Sequence, residues 1–261
     1  MPHVISDAIL SLLSSFAVGF VRIVEGAGSE VLGSGVLVSI EGRRGILTAG
    51  HVAAAYEKLP EIGLLRYVAG DQQRRILKLG DTQTITLQSS AFDESKEVFD
   101  LAFTQLPPDT ASSIAAQSVF LNIEKNREKM ESWASTRTKH IDAMLGLVAE
   151  FSQQPFIEDG RFISPMRGAL HSGHIRLQEN GLLTFEAMDY NRDALPKCFG
   201  GMSGGGVWRI YYAEDEKESK IIATMLCGIA SWQIDETKIA CQGWDRIDQA
   251  LIPTVREKLQ F

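Results

Sequence analysis

Short apolar runs broken by Gly, Asp and Ser set the rhythm of the first hundred residues. The runs are Ala17–Val24 (its core Val21–Val24), Val36–Ile40, Ile46–Thr48, Leu64–Val68, Arg75–Leu79, Thr82–Leu87 and Leu101–Leu106. Regular short runs with such punctuation predict strands of a barrel or sandwich. Pro107-Pro108 closes this half. The texture then changes: Ile114 to His140 reads as helical or linker-like, and Ile123–Thr138, rich in Glu, Lys, Arg and Ala, reads as a helical connection. Strands resume at Ala143–Phe151, Arg161–Ile163, His174–Leu177, Leu182–Met188, Gly206–Tyr212, Ile221–Trp232 and Thr237–Cys241, with Glu214–Lys220 as an exposed hairpin tip. Val4–Ser15 predicts a short packed helix. Ile247–Leu259 predicts a terminal one that takes Pro253 in its first turn. The organisation expected is therefore a β-rich unit over 1–108, a helical connection over 109–141, and a β-rich unit ending in a helix over 142–261.

Composition narrows the function classes. The 261 residues are 44% hydrophobic and 23% charged, as in an ordinary globular chain, and the net charge is −7. Phosphate backbones repel such a chain unless it carries a local basic patch. Arg43-Arg44 and Arg74-Arg75 are isolated pairs, so no nucleic-acid partner is expected. Ala8–Phe20 is apolar, but no Lys or Arg precedes it and Ser11, Ser14 and Ser15 interrupt it. It suits neither a secretory signal nor a membrane span. The three cysteines, Cys198, Cys227 and Cys241, are too few for a disulfide framework and lack metal-ligand spacing. They are expected as reduced, buried thiols in a cytoplasmic protein. His171 and His174 are expected near a turn in surface or structural roles, and His3 and His140 carry no motif.

Three segments carry candidate chemistry. In Ile46-Leu-Thr-Ala-Gly-His51-Val52 an apolar strand delivers a histidine behind small residues. In Val98-Phe-Asp100-Leu-Ala-Phe103 an aspartate opens an apolar strand, and a carboxylate there needs a partner to offset its desolvation. In Gly200-Gly-Met-Ser203-Gly-Gly-Gly206 glycines on both sides free the backbone, so that N–H groups can converge on one spot. No Lys-Ser/Thr sequel follows, which argues against a phosphate-binding loop.

His51, Asp100 and Ser203 follow in that order at gaps of about 50 and about 100 residues. In this the chain resembles the chymotrypsin/trypsin-like serine peptidases, especially their bacterial and intracellular, disulfide-free branches. Thr48-Ala-Gly-His51, Phe99-Asp100-Leu-Ala-Phe103 and Gly201-Met-Ser203-Gly-Gly205 resemble the family's three motifs. Gly228-Ile-Ala-Ser231-Trp232 resembles the strand lining its cleft. The likeness spans roughly Ala17 to Leu259 and implies an all-β fold of two six-stranded antiparallel barrels with the triad between them. It implies that Ser203 is the nucleophile, His51 the base and Asp100 its orienter. Gly201 and Ser203 N–H would form the oxyanion hole, Ser231 would hydrogen-bond the aspartate, and no metal or cofactor would be needed.

Met202 stands where secreted members place an aspartate that pairs with a newly cut N-terminus, so the oxyanion loop must be ordered otherwise, through a partner or effector among other means. Lys197 falls where the family places its pocket floor and would favour an acidic side chain, unless it points to solvent. Gln233, beside Trp232, stands where many members have glycine and would favour small side chains. The expected function is a serine endopeptidase acting on protein or peptide substrates, including the role of a regulated cytosolic effector with an activating protein partner. The alternative is a catalytically inactive binding module. An α/β-hydrolase is excluded because no histidine follows Ser203.

Overall fold

The computed structural model describes residues 3–24, 28–66, 74–88, 98–133, 138–152, 156–158, 161–163, 166–188, 195–214 and 219–259. Helix α1 (His3–Ser14) leads into β1 (Ala17–Val24), β2 (Gly28–Ile40) and β3 (Arg43–Thr48). Helix α2 (Gly50–Tyr56) precedes β4 (Glu61–Arg66), β5 (Arg74–Lys78), β6 (Gln83–Gln88) and β7 (Asp100–Gln105). The first sheet runs β5-β4-β1-β2-β3-β7-β6. The resemblance implies a six-stranded barrel here. The sheet instead has eight strands counting the two-residue Leu121–Asn122, and its end strands β5 and β6 do not pair among the described residues.

The connection holds α3 (Pro108–Ala115), β8 (Leu121–Asn122) and α4 (Ile123–Trp133). It is not one helix, because Leu121-Asn122 pairs in parallel with Val38-Ser39 of β2. Pro108 does not only end the first half. It starts α3, where its missing N–H has no helical partner to lose.

The second half comprises β9 (His140–Leu147), the short pair β10 (Phe156–Glu158) and β11 (Arg161–Ile163), β12 (Gly168–Leu177), β13 (Leu182–Ala187), β14 (Gly206–Glu214), β15 (Ser219–Gln233) and β16 (Lys238–Gly243). Strands β12-β13-β16-β15-β14-β9 close into an antiparallel barrel. The chain then passes through α5 (Trp244–Arg246) and one π turn (Ile247–Leu251) into α6 (Ile252–Leu259), with Pro253 in its first turn as expected. Of the expected hairpin tip, 215–218 lies outside the described residues, as do Tyr67 and Val68 of the fourth expected strand.

The halves share one apolar core. Val36, Val38 and Leu47 of the first sheet belong to the same buried cluster as Leu145, Trp208 and Ile229 of the second. Asn126 of α4 is buried and bonds both main-chain groups of Leu226, accepting from its N–H at 2.9 Å and donating to its C=O at 3.1 Å. No helix among the described residues is long and apolar enough to cross a membrane.

Candidate active site

His51 follows β3, as expected, and sits in the first turn of α2. Ala49, which precedes that helix, has no side chain to cap it. Asp100, the first residue of β7, supplies the cap from across the sheet: its Oδ1 accepts the His51 main-chain N–H at 2.8 Å. Its Oδ2 takes the imidazole Nδ1 at 2.8 Å. Gly50 makes this approach possible, since a Cβ there would stand 3.1 Å from Asp100 Oδ1.

Asp100 is buried. Burial is the largest single influence on its carboxyl and disfavours ionisation, but it is outweighed. The ring hydrogen bond and charge of His51, the His51 main-chain N–H and the nearby Ser231 hydroxyl together hold the carboxyl below its ordinary value. An ionised carboxylate only accepts, so Nδ1 carries the proton and Nε2 is left as the basic nitrogen. The His51 side chain is 45% exposed against 8% for Asp100, so the imidazole faces solvent while the carboxylate does not.

Ser203 lies in the second of two successive tight turns, closed by Met202 N–H to Phe199 O at 3.0 Å and Gly205 N–H to Met202 O at 2.8 Å. Gly201 and Gly204 occupy the third position of each, with φ of +93° and +85°. A type II turn demands a positive φ there, and glycine meets it without strain. The loop is anchored on β15, where Gly204 N–H donates to Ala230 O and Ala230 N–H to Gly205 O. The Gly200 carbonyl accepts Ala149 N–H at 2.8 Å. Because the peptide is trans, the N–H of Gly201 must face the other way. Among the described residues, neither Gly201 nor Ser203 donates its N–H to any acceptor.

A bulge between Ala230 and Trp232 removes Ser231 from the β15–β16 ladder. Its freed carbonyl accepts the Ser203 hydroxyl at 2.7 Å. Its own hydroxyl is buried and makes no hydrogen bond of ordinary length, although it lies near enough to Asp100 to favour the carboxylate. The Ser203 hydroxyl is thus turned onto Ser231 and makes no hydrogen bond to His51.

Met202 is buried with Phe199, Met144 and Val148. Apolar packing, rather than an ion pair, holds the centre of the loop. Lys197 is exposed, so its ammonium remains in water. The Gln233 carboxamide accepts Phe199 N–H at 3.0 Å and donates to Asp235 O at 2.9 Å, tying the end of β15 to the segment before the serine. Trp232 beside it is half-buried.

Two other expectations need correction. Cys198 is exposed, and only Cys227 and Cys241 are buried; all three are free thiols. His171 and His174 stand inside β12 rather than near a turn, the first buried and the second exposed.

Two residues that the motifs did not mark also reach the site. Ser34 of β2 touches the serine loop. Arg246 of α5 is buried; its guanidinium and Gln242 Nε2 both donate to the Val98 carbonyl, and it lies 4.9 Å over the Phe99 ring. This clamp fixes the chain two residues before Asp100. Two clefts lie elsewhere, one beside α1 lined by Asp7, Leu10 and Leu170, the other by Leu12, Phe16 and Ile222; neither includes His51, Asp100 or Ser203.

No family model matches this chain, and neither does any curated protein. Among solved structures it is similar to one described as "Aromatic interactions drive the coupled folding and binding of the intrinsically disordered Sesbania mosaic virus VPg protein", at 15% identity, over 91% of this chain and 90% of that one, with a TM-score of 0.45. A likeness of that degree carries no argument about function.

Proposed function

We propose that the chain is a serine endopeptidase of the chymotrypsin-like kind, two barrels with a Ser203-His51-Asp100 triad between them. The observation that carries this reading is the doubly bonded His51–Asp100 pair, which fixes the imidazole with Nε2 basic, on the same seam as a serine flanked by two uncommitted amides. In the proposed reaction the Ser203 hydroxyl leaves the Ser231 carbonyl and attacks the peptide carbonyl while His51 Nε2 takes its proton. The Gly201 and Ser203 N–H groups receive the oxyanion, a contribution of about 10²–10³ in rate per donor. The imidazolium returns the proton to the leaving amine, and water then hydrolyses the acyl-enzyme by the same route. Neither a metal nor a cofactor takes part.

The Gln233 bridge supports a preference for small side chains before the scissile bond, and the exposed Lys197 gives little support to an acidic one. A cytoplasmic role with an activating partner belongs to the same proposal. The second reading, a binding module without catalysis, is favoured by one observation: the Ser203 hydroxyl is bonded to Ser231 and not to His51.

Incubation of the chain with a complex peptide mixture, with new termini mapped by mass spectrometry, tests the proposal. Termini that appear with the wild type and vanish with Ser203→Ala, most of them after small residues, are the expected result. The same set of termini from both proteins would overturn it.

A further inference from the structure

The glycines at 200, 201, 204 and 205 leave the serine loop free to flip its peptide planes. A flip between Gly200 and Gly201 would put a carbonyl where a donor is needed. The loop is nevertheless tied, and much of the tie comes from one residue of the opposite sheet. Ser34 of β2 is buried. Its hydroxyl donates to the Gly201 carbonyl at 2.7 Å and accepts the Leu147 N–H at 2.7 Å. Its main-chain N–H donates to the Ser203 carbonyl at 2.7 Å. Its own carbonyl accepts the Thr48 hydroxyl at 2.7 Å, three residues before His51. The seam is tight, because a Cβ on Gly204 would come within 2.0 Å of Ser34 O.

These contacts bracket the two candidate donors. With the Gly200 carbonyl on Ala149 and the Gly201 carbonyl on the Ser34 hydroxyl, the peptide planes on both sides of Gly201 are set. With the Ser203 carbonyl on Ser34 N–H, the plane after the nucleophile is set as well.

We propose that the Ser34 hydroxyl is a positioning group that holds the oxyanion loop in its donor-out form from the opposite sheet, resting on the peptidase reading for its catalytic consequence. Ser34 then takes the part for which an ion pair to a cut N-terminus would otherwise be required, and the loop is ordered without proteolytic activation. Any movement between the sheets acts on His51 and the oxyanion donors together, through the main chain and the hydroxyl of this one residue.

The test compares wild type with Ser34→Ala by two readouts. The first is amide hydrogen exchange by mass spectrometry. Faster exchange confined to the segment 199–205 and to Leu147 is expected, and an unchanged pattern there overturns the proposal. The second is acylation by an activated ester, normalised to the sites that titrate. The rate per site is expected to fall about 10- to 100-fold, below the full loss of a donor, with KM within twofold and the pH profile unmoved. A fall only in the number of titrating sites would mark a merely structural role and overturn the catalytic part. Wild type that fails to acylate would contradict the peptidase reading, while the exchange readout would still decide the positioning role. Should Ser34→Ala not fold, exchange in the wild type decides: a protected Leu147 amide with fast-exchanging Gly201 and Ser203 amides supports the arrangement, and a fast Leu147 amide overturns it.

Discussion

Replacing Met202 by aspartate puts into this chain the residue that secreted chymotrypsin-like enzymes use at the equivalent place, and here it should be severely damaging. Met202 is 1% exposed and packs with Met144, Val148 and Phe199, which offer a carboxylate no charge to pair with. Losing the buried methionine removes about 1.5–3 kcal/mol of apolar burial. An unpaired buried charge costs roughly 3–5 kcal/mol more. Together these approach the whole stability of a typical domain, about 5–15 kcal/mol. Met202→Leu keeps the volume and should cost under about 1.5 kcal/mol. Urea denaturation of the three proteins measures the differences. The pH dependence gives a second signature. A carboxyl buried without a partner has a raised folded-state pKa, so its charge penalty is complete above that raised value, shrinks as the pH falls through it and is gone below the unfolded value of about 4. Met202→Asp losing under about 1 kcal/mol at neutral pH, with no recovery in acid, would refute the claim that apolar packing orders this loop.

Other expectations follow from the same geometry. Asp100 is held below its ordinary pKa, so the stability it contributes is fully present above about pH 4 and is lost as the pH falls through its folded value. The stability gap between wild type and Asp100→Asn, measured by urea denaturation, should therefore be larger at pH 7 than at pH 3, and activity should fall about 10⁴-fold. An aromatic disulfide reagent should modify Cys198 alone in the native protein. Burial pushes the Cys227 thiol up to about 12 and raises that of Cys241 as well, so those two should react only on unfolding; rapid release of three equivalents from native protein would contradict this. Gln233→Gly removes the bridge to Phe199 and should broaden cleavage toward larger side chains, read from the mapped termini; an unchanged preference would show that the carboxamide does not limit the site.

His51, Asp100 and Ser203 could be singled out as candidates because each stands in a short stretch whose chemistry is local: small residues before His51, apolar ones around Asp100, glycines around Ser203. What was not readable depends on partners distant in sequence. Helix α2 is only seven residues long and takes its cap from Asp100 on another strand, so nothing near Ala49 announces it. The first part of β12, Gly168–Gly173, has the glycine and serine content of a loop, yet it is paired with β9 along its length. Gly33-Ser34-Gly35 likewise reads as a turn but lies inside β2, where close approach to the serine loop favours small residues. Arg246 stands just before the expected terminal helix and belongs to no motif; its burial is offset by main-chain carbonyls from Asn180 and Val98 that sequence proximity does not suggest. The seven apolar runs of the first half correspond to β1–β7, whereas the eighth strand, β8, is two residues long and too short to register in the sequence.

The central claim is that Ser203 is a nucleophile activated by His51. Labelling of purified protein with a fluorophosphonate probe tests it most directly, with wild type beside Ser203→Ala and His51→Ala. The account predicts covalent labelling of the wild type, none of Ser203→Ala, and strongly slowed labelling of His51→Ala. Folded wild type that takes up no probe, with the Ser203 hydroxyl remaining on the Ser231 carbonyl, would contradict it and leave the chain a binding module built on a peptidase-like frame.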